Sequence, residues 1–156
     1  MSRREIDPER WLVLAGAMLS GAGALGSAAV SGGWWPKACA CLIRLSLEQA
    51  VDAYWERVNP RVASPKLPWR TKLLMLRSRT GPGLTVARRI TYAWNTLSRA
   101  MHHHCYDIQP TVTELRHLHT ETTVLIRLLQ QHVGGESSVR KVGSLESNLR
   151  PALSSE

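Results

Sequence analysis

Phenylalanine is absent from this 156-residue chain, and cysteine is scarce. With no phenylalanine, we expect Trp34, Trp35, Trp55 and Trp94 to supply the aromatic core, with Trp69 as the exception that could stack on a base. The three cysteines, Cys39, Cys41 and Cys105, are odd in number and do not form a disulfide framework, which favours a reducing, cytoplasmic location. The spacing of Cys39 and Cys41 is too short for the usual zinc or redox pairs.

Acidic residues are missing from the fifty-residue segment 57–106, although the segment contains ten basic residues. The whole chain has a net charge of +8 and a pI near 10.1. A nucleic acid, an anionic membrane surface or an acidic protein would each complement this charge. The basic residues predicted to bind nucleic acid are Arg70, Lys72, Arg77, Arg79, Arg88 and Arg89.

Alternation of apolar and polar residues at period two does not persist anywhere in the chain, which disfavours strands. Apolar residues instead recur at three- and four-residue steps, which predicts an all-α bundle of four long helices and one short helix. The predicted helices cover about residues 8–30, 36–58, 69–79, 84–105 and 111–133.

Turn and capping signals set the predicted boundaries of these helices. Pro36 suits a first helical turn, and Asn59 followed by Pro60 ends a helix. Thr111 has the capping-box spacing to Glu114. We expect a flexible N-terminus over 1–8, one helical domain over 9–133 that ends at two glycines, and a polar, disordered tail over 134–156.

Residues 11–35 carry no charge over a length that could span a bilayer, from Trp11 to Trp35. The run is rich in glycine, alanine and serine, so its transfer into lipid is less favourable than that of a leucine-rich segment. We therefore expect a buried first helix. A membrane anchor formed by this run stays open as the alternative.

One arginine, three histidines and a tyrosine lie close together at the end of the fourth predicted helix. They are Arg99, His102, His103, His104 and Tyr106. A histidine with its ordinary pKa near 6.5 can move the proton of a ribose 2′-hydroxyl, and an arginine can stabilise the charge that develops on the phosphate. These residues are therefore candidates for cleaving RNA without a metal or cofactor. A zinc or nickel site that joins one of the histidines to His117 or Cys105 is a weaker alternative.

Arg99, His104 and Tyr106 match the pattern R-x4-H-x-Y, so the chain resembles the HEPN superfamily of small α-helical proteins. Many HEPN proteins are metal-independent endoribonucleases of toxin–antitoxin and antiviral systems, and they commonly dimerise. The resemblance implies Arg99 and His104 as catalytic residues, with His102 and His103 as further candidates for the imidazole. It also implies a homodimer, an RNA substrate and a nucleotidyltransferase partner that modifies Tyr106.

The resemblance places a demand on geometry, because Arg99 and His104 are separated by about 140° around a straight helix. They would converge only if the helix end is distorted or if a second copy of the chain supplies one of them. The alternative function is a non-catalytic basic module that binds nucleic acid or a partner protein.

Overall fold

The computed structural model describes residues 7–21, 34–79, 82–101 and 110–149 as an assembly of α-helices. In chain order the helices are α1 (Pro8–Ser20), α2 (Trp35–Val58), α3 (Trp69–Arg77), α4 (Pro82–Met101) and α5 (Val112–Leu149). The shortest, α3, has nine residues. No strand occurs in these ranges. The predicted all-α class, with four longer helices and one short helix, is confirmed.

The central helix is α2, which packs against α1, α4 and α5. Pro36 lies in its first turn, where a missing backbone N–H is tolerated, as the sequence predicted. The helix ends at Asn59, whose extended backbone is the conformation favoured before Pro60. The buried residues along α2 follow the predicted helical period and include Cys39, Ile43, Leu47, Ala50, Val51 and Tyr54.

The first helix is shorter than the sequence predicted. Asp7 caps it by accepting a hydrogen bond from the N–H of Glu9 at 3.0 Å. The helix ends at Ser20, because Gly21 adopts a left-handed backbone with φ 68° and its N–H turns back to the carbonyls of Ala17 and Met18. The predicted continuation to residue 30 is therefore wrong at Gly21. Residues 22–33, the middle of the uncharged run, lie outside the described residues.

The inward faces of α4 and α5 follow the predicted apolar pattern. On α4, Ile90 and Leu97 are fully buried, and Trp94 and Met101 pack half-buried beside them. On α5, the buried line has the period of a helix face. Its members are Leu115, Leu118, Thr122, Leu125, Ile126 and Leu129.

The last helix begins as predicted but extends further. Thr111 and Glu114 form the capping box: the Thr111 N–H donates to Glu114 Oε2 at 2.7 Å, and the Glu114 N–H donates to Thr111 Oγ1 at 3.2 Å. The helix then passes through Gly134 and Gly135, where the sequence predicted its end, and continues to Leu149. A glycine inside a helix costs only about 1 kcal/mol relative to alanine, so two glycines need not end one. Residues 150–156 lie outside the described part of the chain.

Side chains of α2 and α5 bind the backbone carbonyls of α1. The four accepting carbonyls belong to the four buried residues of α1, so one helix face is held both by apolar contact and by hydrogen bonds. The donor and acceptor pairs are Ser46 to Pro8, His119 to Leu12, Cys39 to Ala15 and Arg116 to Leu19. Burial raises the pKa of the Cys39 thiol to about 11, so the sulfur keeps the proton that it donates.

The hydropathy of the described helices bears on the membrane alternative. Within residues 7–21, 34–79, 82–101 and 110–149, none of the helices is both long enough and apolar enough to cross a bilayer.

Candidate nucleic-acid interface

The outward face of α4 is a continuous stripe of exposed polar and aromatic side chains. Three- and four-residue steps place its members on one side of the helix, opposite the buried Ile90 and Leu97. We call this set the α4 stripe. It consists of Thr85, Arg88, Tyr92, Asn95 and Arg99.

The chemistry of the α4 stripe suits a nucleic-acid strand. Arg88 and Arg99 are exposed, and within the described residues neither forms an ion pair. They lie about 16 Å apart along the axis, because eleven helical residues rise that far. Between them Tyr92 keeps 69% of its surface exposed, so its ring is open to a stacking partner. Neither α3 nor α4 contains an acidic residue.

Lys72, predicted from the sequence to bind nucleic acid, is a structural residue instead. Its side chain is buried, and Nζ donates to Asp52 Oδ1 at 2.7 Å and to the Ala63 carbonyl at 3.4 Å. An ammonium group held in this way cannot reach a phosphate at the surface. The prediction for Lys72 is therefore corrected.

Arg89 also differs from its prediction. Its Nε and Nη2 donate to the two carboxylate oxygens of Glu121 at 2.7 and 2.9 Å, which ties α4 to α5. This pairing raises the pKa of Arg89 and lowers that of Glu121, chiefly through the hydrogen bonds between them. Arg89 therefore offers little charge to a ligand, although it directly follows the exposed Arg88 in the chain.

The other predicted basic residues lie at or near the surface. Arg70 and Arg77 are exposed on α3, and within the described ranges neither has an ion-pair partner. Arg79 is half-buried, with its guanidinium carbon 5.9 and 6.0 Å from the ring centroids of Tyr54 and Trp55. Arg70 and Arg77 therefore remain candidates for binding an anion, and Arg79 has aromatic contacts as well.

The described residues include only Arg99 from the R-x4-H-x-Y motif. His102, His103, His104 and Tyr106 lie outside them, as does Cys105. Arg99 is exposed near the end of α4 and belongs to the stripe that begins at Arg88. The convergence of a guanidinium and an imidazole at one phosphate stays a prediction.

A charged cluster that sequence reasoning missed lies between α2 and the last turns of α4. Glu48 Oε1 accepts hydrogen bonds from Arg44 Nε and from Trp94 Nε1, both at 2.8 Å. The Arg44 guanidinium lies 4.8 Å from the Trp94 ring centroid, and its Nη1 is 3.8 Å from Met101 Sδ. Only the i to i+4 spacing of Arg44 and Glu48 was visible in the sequence. Their carboxylate and guanidinium fix Trp94 and hold the end of α4 on α2.

The tryptophans divide between packing and exposure, but not as predicted. Trp69, the expected exception, packs against the core with its ring centroid 6.0 Å from that of Trp94. Its Nε1 is buried and has no hydrogen-bond partner among the described residues. Trp55 is buried, as expected. Trp34 is instead the exposed ring, at 75%, with Lys37 Nζ 5.9 Å from its centroid.

A cleft of about 260 Å³ opens between α1 and α5. His119 forms one wall: its Nε2 donates to the Leu12 carbonyl at 2.9 Å, and its own carbonyl accepts from Thr123 Oγ1. Gly16 permits this approach, since a Cβ at that position would lie 3.3 Å from Nε2. The remaining lining residues are Glu9, Val13, Ile126 and Arg127. No local motif pointed to this cleft, because 107 positions separate Leu12 from His119.

A metal centre finds no support in the part of the chain that the structure describes. No group of three or more His, Cys, Asp and Glu side chains there is arranged to hold an ion.

No protein-family model, curated protein or solved structure matches this chain.

Proposed function

We propose that this protein binds single-stranded RNA through the α4 stripe. The observation that carries the proposal is the exposure of Arg88, Tyr92, Asn95 and Arg99 along one face of a helix that contains no acidic residue. Phosphate contacts from arginine supply most of the affinity of a nucleic-acid interface, and they depend on salt. RNA strands meet such a surface in the cytoplasm, where the proposal places the protein.

The exposed ring of Tyr92 favours single-stranded RNA over a duplex as the ligand in this proposal. In a duplex the faces of the bases are already stacked, so an exposed tyrosine gains little from meeting them. In a single strand each base has a free face, and stacking on an aromatic side chain contributes about 1–3 kcal/mol. Tyr92 lies one helical turn from Arg88 and one from Asn95, so a base on its ring would be followed by phosphates within reach of the arginines.

Binding of a labelled single-stranded RNA by fluorescence anisotropy tests the proposal. Arg88→Glu and Arg99→Glu should each weaken binding by about tenfold, and removal of one phosphate contact should lower the slope of log K against log salt by about 0.7. Tyr92→Ala should weaken binding at least about fivefold, whereas Tyr92→Phe should retain it. Arg127→Glu, an exposed arginine on α5, is the matched charge control.

Two results would contradict the proposal. One is unchanged affinity in Arg88→Glu, Arg99→Glu and Tyr92→Ala alike. The other is an equal loss in the Arg127→Glu control, which would show that only net charge matters. A duplex of the same sequence that binds as tightly as the single strand would remove the role given to Tyr92.

Cleavage of the bound strand is the second candidate, and the place of Arg99 favours it. This arginine is at once a member of the stripe and the first residue of the R-x4-H-x-Y motif, and it has no ion-pair partner within the described residues. In this proposal the neighbouring 2′-hydroxyl attacks the phosphate held by Arg99, and a 2′,3′-cyclic phosphate forms as the bond from phosphorus to the 5′-oxygen breaks. The proton passes through His104 from the 2′-hydroxyl to the leaving 5′-oxygen. A homodimer then supplies the convergence that one straight helix does not, and a nucleotidyltransferase partner acts on Tyr106.

Cleavage is separated from binding by measuring both on the same RNA in the presence of a chelator. His104→Ala should abolish cleavage and leave affinity within about threefold, because the stripe is intact. Arg99→Ala should reduce both. If wild-type protein binds the RNA and leaves it uncut, the binding proposal stands and the nuclease proposal fails.

A further inference from the structure

We infer that the outward face of α3 is a docking surface for a protein partner that presents an acidic segment with an apolar anchor. This inference concerns a different helix from the α4 stripe and goes beyond RNA binding. The inward side of α3 is buried, because Leu73 and Leu76 pack in the core and Lys72 binds Asp52. Within the described residues, the outward side is exposed at Arg70, Leu74, Met75 and Arg77.

The outward face of α3 combines positive charge with exposed aliphatic surface. Leu74 is 60% exposed and Met75 is 37% exposed, although α3 has only nine residues. Arg70 lies one turn before Leu74, and Arg77 lies one turn after it. On a helix these three side chains fall within about 60° of one another, so a single partner segment can contact all of them.

The charge around this face selects the kind of partner. Arg70 and Arg77 have no ion pair within the described ranges, and α3 itself contains no acidic residue. Asp52 contacts α3 but is already bound by Lys72. Carboxylates on a partner would therefore pair with two free guanidinium groups, each able to bind in the bidentate manner.

The exposed apolar residues Leu74 and Met75 favour a protein over other classes of partner. Leucine and methionine neither stack on bases nor donate hydrogen bonds, so a nucleic acid gains little from Leu74 and Met75. A lipid surface needs a wide apolar helix face, whereas the other large apolar residues of α3 are packed inward. A second copy of this chain that docked through the same face would place Arg70 and Arg77 against the same two residues, and these like charges repel. Methionine and arginine are both enriched at protein interfaces, with apolar anchors at the centre.

The test uses the full chain and a labelled synthetic helical peptide of about five turns, composed of glutamate, alanine and leucine with leucine at every third or fourth position. Leu74→Gln, which keeps a good helix former, should weaken its binding about tenfold. Leu74→Met, which keeps an apolar side chain, should bind the peptide with most of the wild-type affinity. Arg70→Ala with Arg77→Ala should weaken binding and reduce its salt dependence. Val13→Gln on α1, also an exposed aliphatic position, and Arg127→Ala are the matched controls.

The affinity for single-stranded RNA is measured on the same variants. Leu74→Gln should leave it unchanged, which separates this surface from the α4 stripe whether or not the RNA proposal holds. Equal peptide binding by wild type and Leu74→Gln would overturn the inference, since charge alone would then explain it. So would a Leu74-dependent association with phosphatidylserine vesicles stronger than that with the peptide, which would identify a lipid surface.

Discussion

Replacement of either partner of the Lys72–Asp52 pair should show that Lys72 supports the fold and does not bind a ligand. The Lys72 side chain is only 6% exposed, whereas that of Asp52 is 34% exposed. The two partners therefore lose different amounts of hydration in the folded protein. This asymmetry predicts unequal effects when one partner is removed.

Asp52→Ala leaves the Lys72 ammonium buried, with only the 3.4 Å contact to the Ala63 carbonyl. A buried charge without its partner costs about 3 kcal/mol, which in a protein of this size lowers Tm by roughly 6–12 °C. Lys72→Met keeps the apolar stem and removes the charge, and the remaining Asp52 carboxylate can take up water. Its cost should be about 1 kcal/mol or less.

Urea denaturation followed by circular dichroism measures both variants and the double variant, in which the large loss should be mostly recovered. RNA affinity of Lys72→Met should equal that of the wild type. If Lys72→Met is as destabilising as Asp52→Ala, the unequal burial of the two partners does not set the cost of removing one. If Asp52→Ala leaves the stability unchanged, or if Lys72→Met weakens RNA binding as much as Arg88→Glu does, the assignment of Lys72 to the fold is wrong.

Three further outcomes follow from the helix contacts. Gly16→Ala should raise the free energy of unfolding by about 1 kcal/mol in a His119→Ala background, because alanine has the higher helix propensity. In the wild type the gain should be clearly smaller, because the added Cβ would lie 3.3 Å from the His119 imidazole. Equal gains in both backgrounds would contradict the contact. Thr111→Ala should lower the free energy of unfolding by about 1 kcal/mol through loss of the capping box, and a change within measurement error would mean that the cap is not formed. Glu121→Gln should destabilise the protein by about 0.5–1 kcal/mol at neutral pH, because the pair with Arg89 is partly exposed. Since the pKa of Glu121 is lower in the folded state, its contribution to stability is present above the ordinary value near 4.5 and is lost as pH falls through the folded-state pKa. The free energies of unfolding of wild type and Glu121→Gln should therefore converge in acid. A difference between them that persists in acid would contradict the pairing.

Local signals in the sequence determined the helical class, most helix boundaries and the residues that face the core. Pro36 and the capping box of Thr111 act within one turn, and a helix face repeats every three or four residues, so both can be read without knowledge of the neighbours. Glycine did not predict helix ends reliably. Gly21 ends α1 through a left-handed turn, whereas α5 continues through Gly134, and the sequence alone did not distinguish these outcomes.

Tertiary structure alone decided which basic side chains are available to a partner. Lys72 and Arg89 lie in the same acid-free segment as Arg70 and Arg88, yet the first two are bound by carboxylates from other helices. Asp52 and Glu121 lie 20 and 32 positions away from the residues that they bind. Charge pairing across helices depends on how the helices are packed, and no local periodicity encodes it. The segment's composition indicated a polyanion or an acidic partner, and the packing selected the side chains that can meet one.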